Sequence, residues 1–171
     1  MKKSKVFVAI VLSLLMLPIG TFVAAQPLGV SASASPSVEY RTHVQRDGWQ
    51  GWRSDGEMAG TSGRSLRLEG IEIRLQNATG GIRYRTHVQT VGWQGWSQNG
   101  EMSGTSGRSL RLEGIHIELT GAIASTHHVE YRVHVQSIGW QNWVRDGEMA
   151  GTSGRALRLE GIEIRLVPRG T

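Results

Sequence analysis

Two tryptophans three residues apart, Trp49 and Trp52, enclose Gln50 and Gly51, and the arrangement returns as Trp93, Gln94 and Trp96 and again as Trp140, Gln141 and Trp143. An indole beside an amide suits a sugar, which offers an apolar C–H face to the ring and hydroxyls to the amide. In an extended strand residues three apart face opposite sides, so only one tryptophan of each pair can enter a core. The residues in phase with Trp52 and its counterparts are all polar: Gln50 and Ser54, Gln94 and Gln98, Gln141 and Arg145. Those in phase with Trp49 and its counterparts include Gly51, Gly95 and Val144. This parity assigns Trp49, Trp93 and Trp140 to the core. It makes Trp52, Trp96 and Trp143, with Gln50, Gln94 and Gln141, candidate ligand contacts. The competing reading buries both indoles, the second under a neighbouring unit or under the 60–63 loop.

His43, His87 and His134 each stand between an arginine-containing turn of sequence and a glutamine, on the polar side of a strand. They are candidate ligand or pH-responsive groups, with plain hydrogen-bonding histidines as the simpler alternative. Three symmetric histidines could hold zinc on an axis, but outward-facing strand residues do not reach one, so no metal is expected. Catalysis finds less support. Glu57 and Glu69 could pair as glycosidase carboxylates, yet each is tripled and no copy has a partner of its own. Ser62, His43 and Asp55 could be strung into a triad, but Asn99 replaces the aspartate in the second copy. No phosphate-binding glycine loop or calcium loop is present, and no cofactor is implied. The chain therefore reads as a non-enzyme.

All of these residues lie in three gapless copies of one unit, at residues 38–75, 82–119 and 129–166, identical in 25 of 38 columns. A fixed period of this size marks units that bury their apolar faces on one another, so any ligand site is expected three times. Each unit opens with a half-buried strand: Val38, Tyr40, Thr42 and Val44 point one way, Glu39, Arg41, His43 and Gln45 the other. A second strand is expected around Trp49–Trp52, bounded by Gly48 and Asp55–Gly56. The closing run Leu66 to Leu75 changes phase at Gly70, as a β-bulge or a very tight hairpin would require. The expected core comprises Tyr40, Tyr84 and Tyr131 with Leu66, Leu68, Ile71, Ile73 and their counterparts. No helical period is sustained after the leader, and the fold class is all-β, with three or four strands per unit. Closing three such units without leaving exposed edges implies a pseudo-threefold antiparallel architecture. A β-prism is favoured because each unit reads as a self-contained meander; a β-trefoil is the alternative.

Ahead of the repeats, Lys2, Lys3 and Lys5 precede an apolar run from Val6 to Leu17 that Pro18 and Gly20 break. This is the pattern of a secretory signal peptide, and the run is shorter than the roughly 20 residues a membrane span needs. Cleavage is expected after Ala25 or Ala34, the second giving a leader of residues 1–34 and a domain of 35–171. Without the leader lysines, 16 arginines face 14 acidic residues, a formal charge of +2, and the signs alternate instead of clustering. That excludes the basic footprint of a nucleic-acid binder. The absence of cysteine leaves apolar burial to hold an exported fold together without disulfides.

The run Tyr-x-x-His-Val-Gln, then Gly-Trp-Gln-x-Trp, Gly-Thr-Ser-Gly-Arg and the closing Arg-Leu-Glu-x-Ile-x-Ile resembles the clostridial hydrophobic repeat with invariant tryptophan, the ChW repeat, from Val38 to Leu166. Gly70, Gly114 and Gly161 depart from the alanine expected there, which favours a continuous bulged strand. The resemblance implies an extracytoplasmic bacterial protein acting in substrate binding, adhesion or protein interaction. Together with the indoles it makes a carbohydrate or cell-envelope polymer the expected partner and an extracellular protein the second, with no membrane span once the leader is removed.

Overall fold

The computed structural model describes residues 34–170. The leader lies outside them except for Ala34. The first repeat contributes β1 (Ser37–Val44), β2 (Gly48–Trp49), β3 (Arg53–Ser54), β4 (Ala59–Gly60) and β5 (Leu68–Gln76). The second contributes β6 (Gly81–Val88), β7 (Gly92–Trp93), β8 (Ser97–Gln98), β9 (Ser103–Gly104) and β10 (Leu112–Thr120). A single helical turn, α1 (Ile123–Thr126), links it to the third, with β11 (His127–Val135), β12 (Gly139–Trp140), β13 (Val144–Arg145), β14 (Ala150–Gly151) and β15 (Leu159–Pro168). The described chain is thus all-β in character, with three antiparallel five-stranded sheets. The turn of helix is an addition to the sequence reading. It falls where the linker between the second and third repeats is longest, outside the repeated columns.

The alternation read in the sequence governs each long strand. Val38, Tyr40, Thr42 and Val44 are fully buried, and so are their counterparts in β6 and β11. Leu68, Ile71 and Ile73 join them from β5, and the three repeats together form one apolar cluster around Tyr40, Tyr84 and Tyr131. Leu66 is buried, while its counterparts Leu110 and Leu157 pack only partly against the cluster. The phase change at Gly70 is a bulge within one continuous strand: His43 pairs with Gly70 and Val44 with Leu68, leaving Glu69 as the extra residue.

Each repeat also completes its neighbour. The segment expected to be loop before Thr61 forms β4, which pairs with β15 of the third repeat. In the same way β9 pairs with β5 and β14 with β10, so the relation passes from each repeat to the one before it and returns to its start. Gly60 is required for this pairing. Its φ is +102°, and a Cβ would stand 2.5 Å from the Glu160 carbonyl oxygen. The tyrosines repeat the same circuit in side chains. The hydroxyl of Tyr40 donates to the Glu57 carbonyl and accepts from the N–H of Ile164 at 3.1 Å. Tyr84 accepts from Ile73 and Tyr131 from Ile117. A buried hydroxyl is thereby satisfied in both roles at each junction.

Candidate functional site

The outer face of each sheet is built on the alternate row of its first strand, Glu39, Arg41 and His43 in the first repeat. The glutamine between the tryptophans belongs elsewhere. Gln50 Oε1 accepts from Thr42 Oγ1 at 3.1 Å and from the Gly60 N–H at 2.7 Å, and its Nε2 donates to the Gly60 carbonyl at 3.2 Å. Gln94 makes the same three bonds through Thr86 and Gly104; Gln141, facing Val133 instead of a threonine, keeps the two to Gly151. These amides clamp the exchanged strand. Gln50, Gln94 and Gln141, expected to flank an indole as ligand contacts, are placed with their amides on the backbone of Gly60, Gly104 and Gly151.

The tryptophans are corrected. Trp49, Trp93 and Trp140 stay outside the core cluster and are half-buried on the outer face. The cause is a second bulge. His43 pairs with Trp49 and Tyr40 with Arg53, so three residues, 50–52, oppose two, 41–42. The extra residue reverses the parity, and both indoles of a pair end on one side. Trp49 lies edge-on to His43, with ring centres 5.4 Å apart, and a Cβ on Gly70 would meet its ring edge at 3.5 Å. The Arg41 guanidinium carbon is 5.0 Å from the centre of Trp49 and 4.9 Å from that of Trp52, and Arg74 is 3.9 Å from Trp52. Trp52 and Trp143 are half-buried by these contacts, and Trp96 is 38% exposed.

His43 sits beside this pair with its side chain only 15% exposed, its Nδ1 3.1 Å from Glu69 Oε2 at an angle that is not that of a hydrogen bond. Arg67 holds the other carboxylate oxygen, with Nε at 2.8 Å. His87 and Glu113, and His134 and Glu160, repeat the contact at 3.0 and 3.2 Å. The histidines therefore back the first indole of each pair and are not free on the face. Nor do they gather: no group of three or more histidine, cysteine or acidic side chains is placed to hold a metal ion among the described residues. Arg67 and Glu69 pair along one stretch of chain, while Arg41–Glu72 and Glu39–Arg74 cross between β1 and β5. Arg74 and Gln76 hold the Glu39 carboxyl below its ordinary range.

The aspartate of the triad pattern has a backbone partner. Asp55 accepts from the Val38 N–H at 3.2 Å, and Asn99 does the same for Ile82 at 3.0 Å, a turn-fixing role that needs an oxygen and no charge. Among the described residues no helix is long and apolar enough to cross a membrane. A groove of about 470 Å³ opens along the third repeat, lined by Trp140, Gln141, Asn142, Val144 and Met149. It borders a tryptophan that the parity argument had sent inward.

No curated protein and no solved structure matches the chain. The sequence profile described as clostridial hydrophobic W matches three times, at residues 43–77, 87–121 and 134–168, each match opening on the histidine and running through both tryptophans to the end of the closing strand. With these matches covering more than half of its length, the chain belongs to the clostridial hydrophobic W family, as a three-repeat member.

Proposed function

We propose that the chain is a secreted, non-enzymatic, multivalent binding module that recognises glycan or cell-wall polysaccharide at the bacterial surface. One observation carries this reading: three sheets present the same outer set, two adjacent indoles and a guanidinium between them, at three places. Repetition of one polar-rimmed aromatic surface suits a repeating polymer, where weak sites gain from one another through effective concentration. Of the two carboxylates that a glycosidase would use, Glu69 is held by Arg67, and Glu57 accepts from the Ser54 N–H. The leader supports export. The separate sheets and the cyclic strand exchange support a β-prism-like arrangement about a pseudo-threefold axis over a trefoil.

A second reading, a protein-protein adhesion module, has its own observation. Met58, Met102 and Met149 are exposed, and Met102 of the second repeat lies beside Gly70 next to Trp49 of the first. Exposed methionine beside tryptophan suits an adaptable protein interface. Titrating the full chain and its Trp52→Ala, Trp96→Ala and Trp143→Ala variants against a soluble cell-wall oligosaccharide and the parent polymer separates the readings, with melting temperature as the control. The glycan reading expects a small loss on the oligosaccharide and a much larger one on the polymer. Equal losses on both, or collapse of stability in any variant, would make these rings structural.

A further inference from the structure

We infer that the outer face of the second repeat is a site for the carboxylate of an acidic sugar, with Arg85 as its anchor and Trp96 as its platform. The inference rests on the glycan reading above and adds the ligand class. Its ground is a three-way comparison inside the molecule. In the first repeat Arg41 Nε donates to Glu72 Oε2 at 2.7 Å, and in the third Arg132 Nε donates to Glu163 Oε2 at 2.7 Å. In the second repeat the residue paired with Arg85 is His116. That imidazole leans onto Trp93, with ring centres 4.4 Å apart, and its Nδ1 contacts the Gly147 carbonyl at 2.8 Å. Among the described residues Arg85 takes part in no ion pair, and its Nε, the donor that meets a carboxylate in the sibling repeats, is shielded from solvent and has no hydrogen-bond partner.

The guanidinium nevertheless keeps its place. Its carbon is 5.4 Å from the centre of Trp93 and 4.9 Å from that of Trp96, against 5.0 and 4.9 Å in the first repeat and 5.0 and 4.8 Å in the third. Nearby carboxylates are committed: Glu118 to Arg83, and Glu113 to Arg111 and His87. Arginine is permanently charged and its planar fork matches a carboxylate, so a pre-placed guanidinium without one is a receptor for an external one. The sibling repeats show that a guanidinium in this place takes a carboxylate, there from the adjacent strand onto Nε; with the Arg85 Nε covered, an external carboxylate would meet the terminal nitrogens of the fork. Trp96, the most exposed of the six indoles, supplies the adjoining apolar surface on which a sugar ring can rest while its carboxylate reaches Arg85.

The test uses the full chain and three probes: an oligogalacturonate, its methyl ester, which keeps the sugar backbone and removes the charge, and poly-glutamate. The wild type should prefer the acid over the ester by about tenfold to a hundredfold, the worth of a charge-assisted hydrogen bond. His116→Glu rebuilds the pair already present in both siblings, so it should fold normally while abolishing that preference. Conversely, Glu72→His and Glu163→His should each add an acid-binding site and raise the stoichiometry. Unchanged preference in His116→Glu, no preference in the wild type, or equal affinity for poly-glutamate would overturn the inference. Binding of acid and ester alike, lost on Trp→Ala, would leave the glycan reading standing and sink this one alone.

Discussion

The second repeat and its two siblings are alike inside and unlike outside. Tyr84 repeats the contacts of Tyr40 and Tyr131 bond for bond, donating to a carbonyl of its own repeat and accepting from an isoleucine of the one before. On the outer face the same repeat exchanges Glu72 for His116 and inverts the Glu39–Arg74 pair into Arg83–Glu118. The inversion keeps an arginine near the second indole, Arg83 lying 4.7 Å from Trp96 where Arg74 lies 3.9 Å from Trp52. The glutamate exchange has no such compensation. Substitutions across a core junction disturb two repeats at once, because each is completed by the next, whereas the arginine–glutamate pairs of the outer face lie within one sheet. The tyrosine junctions are therefore held to threefold equality, and the exterior is where the repeats can take different tasks.

Alkaline titration gives the largest expected effect on the shared interior. Burial pushes the Tyr84 hydroxyl up to about 12 and raises those of Tyr40 and Tyr131 as well. Below the unfolded-state value near 10 both states keep the proton and stability is intact. Between about pH 10 and 12 the unfolded chain ionises first, and stability falls by roughly 1.4 kcal/mol per pH unit for each tyrosine, about 4 for the three together. Circular dichroism followed from pH 8 to 12 should show one cooperative loss of the sheets, accompanied by simultaneous ionisation of all three phenols. Ionisation of one phenol well before the others would break the equality.

Truncation is next in size. Tyr84→Ala should cost on the order of 3 to 5 kcal/mol, as large aromatic deletions in cores do, and Tyr40→Ala and Tyr131→Ala should match it within about 1 kcal/mol. Denaturant midpoints of the three variants check this, and a loss below about 1 kcal/mol in any of them would refute its burial. The outer face yields the smallest effects and the opposite pattern. Glu72→Gln and Glu163→Gln remove a partner from an arginine about one third exposed and should each cost about 0.5 to 1 kcal/mol. His116→Glu should stabilise by a similar amount, since it supplies Arg85 with what its siblings have. If all three substitutions shift the melting temperature in the same direction, the repeats do not differ as described.

Much of the interior was legible because period-two alternation carries through any uninterrupted strand: Tyr40, Ile71 and Ile73 follow from it directly, and the phase change at Gly70 narrowed that position to a bulge or a tight hairpin. The outer face was misread where alternation breaks. The bulge at residues 50–52 contains Gly51, but the stretch is too short and too polar for a phase change to show, so counting parity from Trp49 to Trp52 separates two indoles that lie on one side. The backbone partner of Gln50 is hidden from the sequence because Gly60 belongs to a two-residue strand that pairs 101 positions away, with Gly161. No local pattern records such a pairing. The Glu72, His116 and Glu163 column was visible from the start. Its meaning was not, because one needs the strand register to know that Arg85 is the residue left facing a histidine.

The most direct test follows the six indole N–H signals by NMR in the tryptophan-labelled full chain while oligogalacturonate is added. The account predicts that Trp93 and Trp96 shift first and saturate together, with Trp49, Trp52, Trp140 and Trp143 unmoved until far higher concentration. Equal shifts across all six, or none at Trp96, would contradict it.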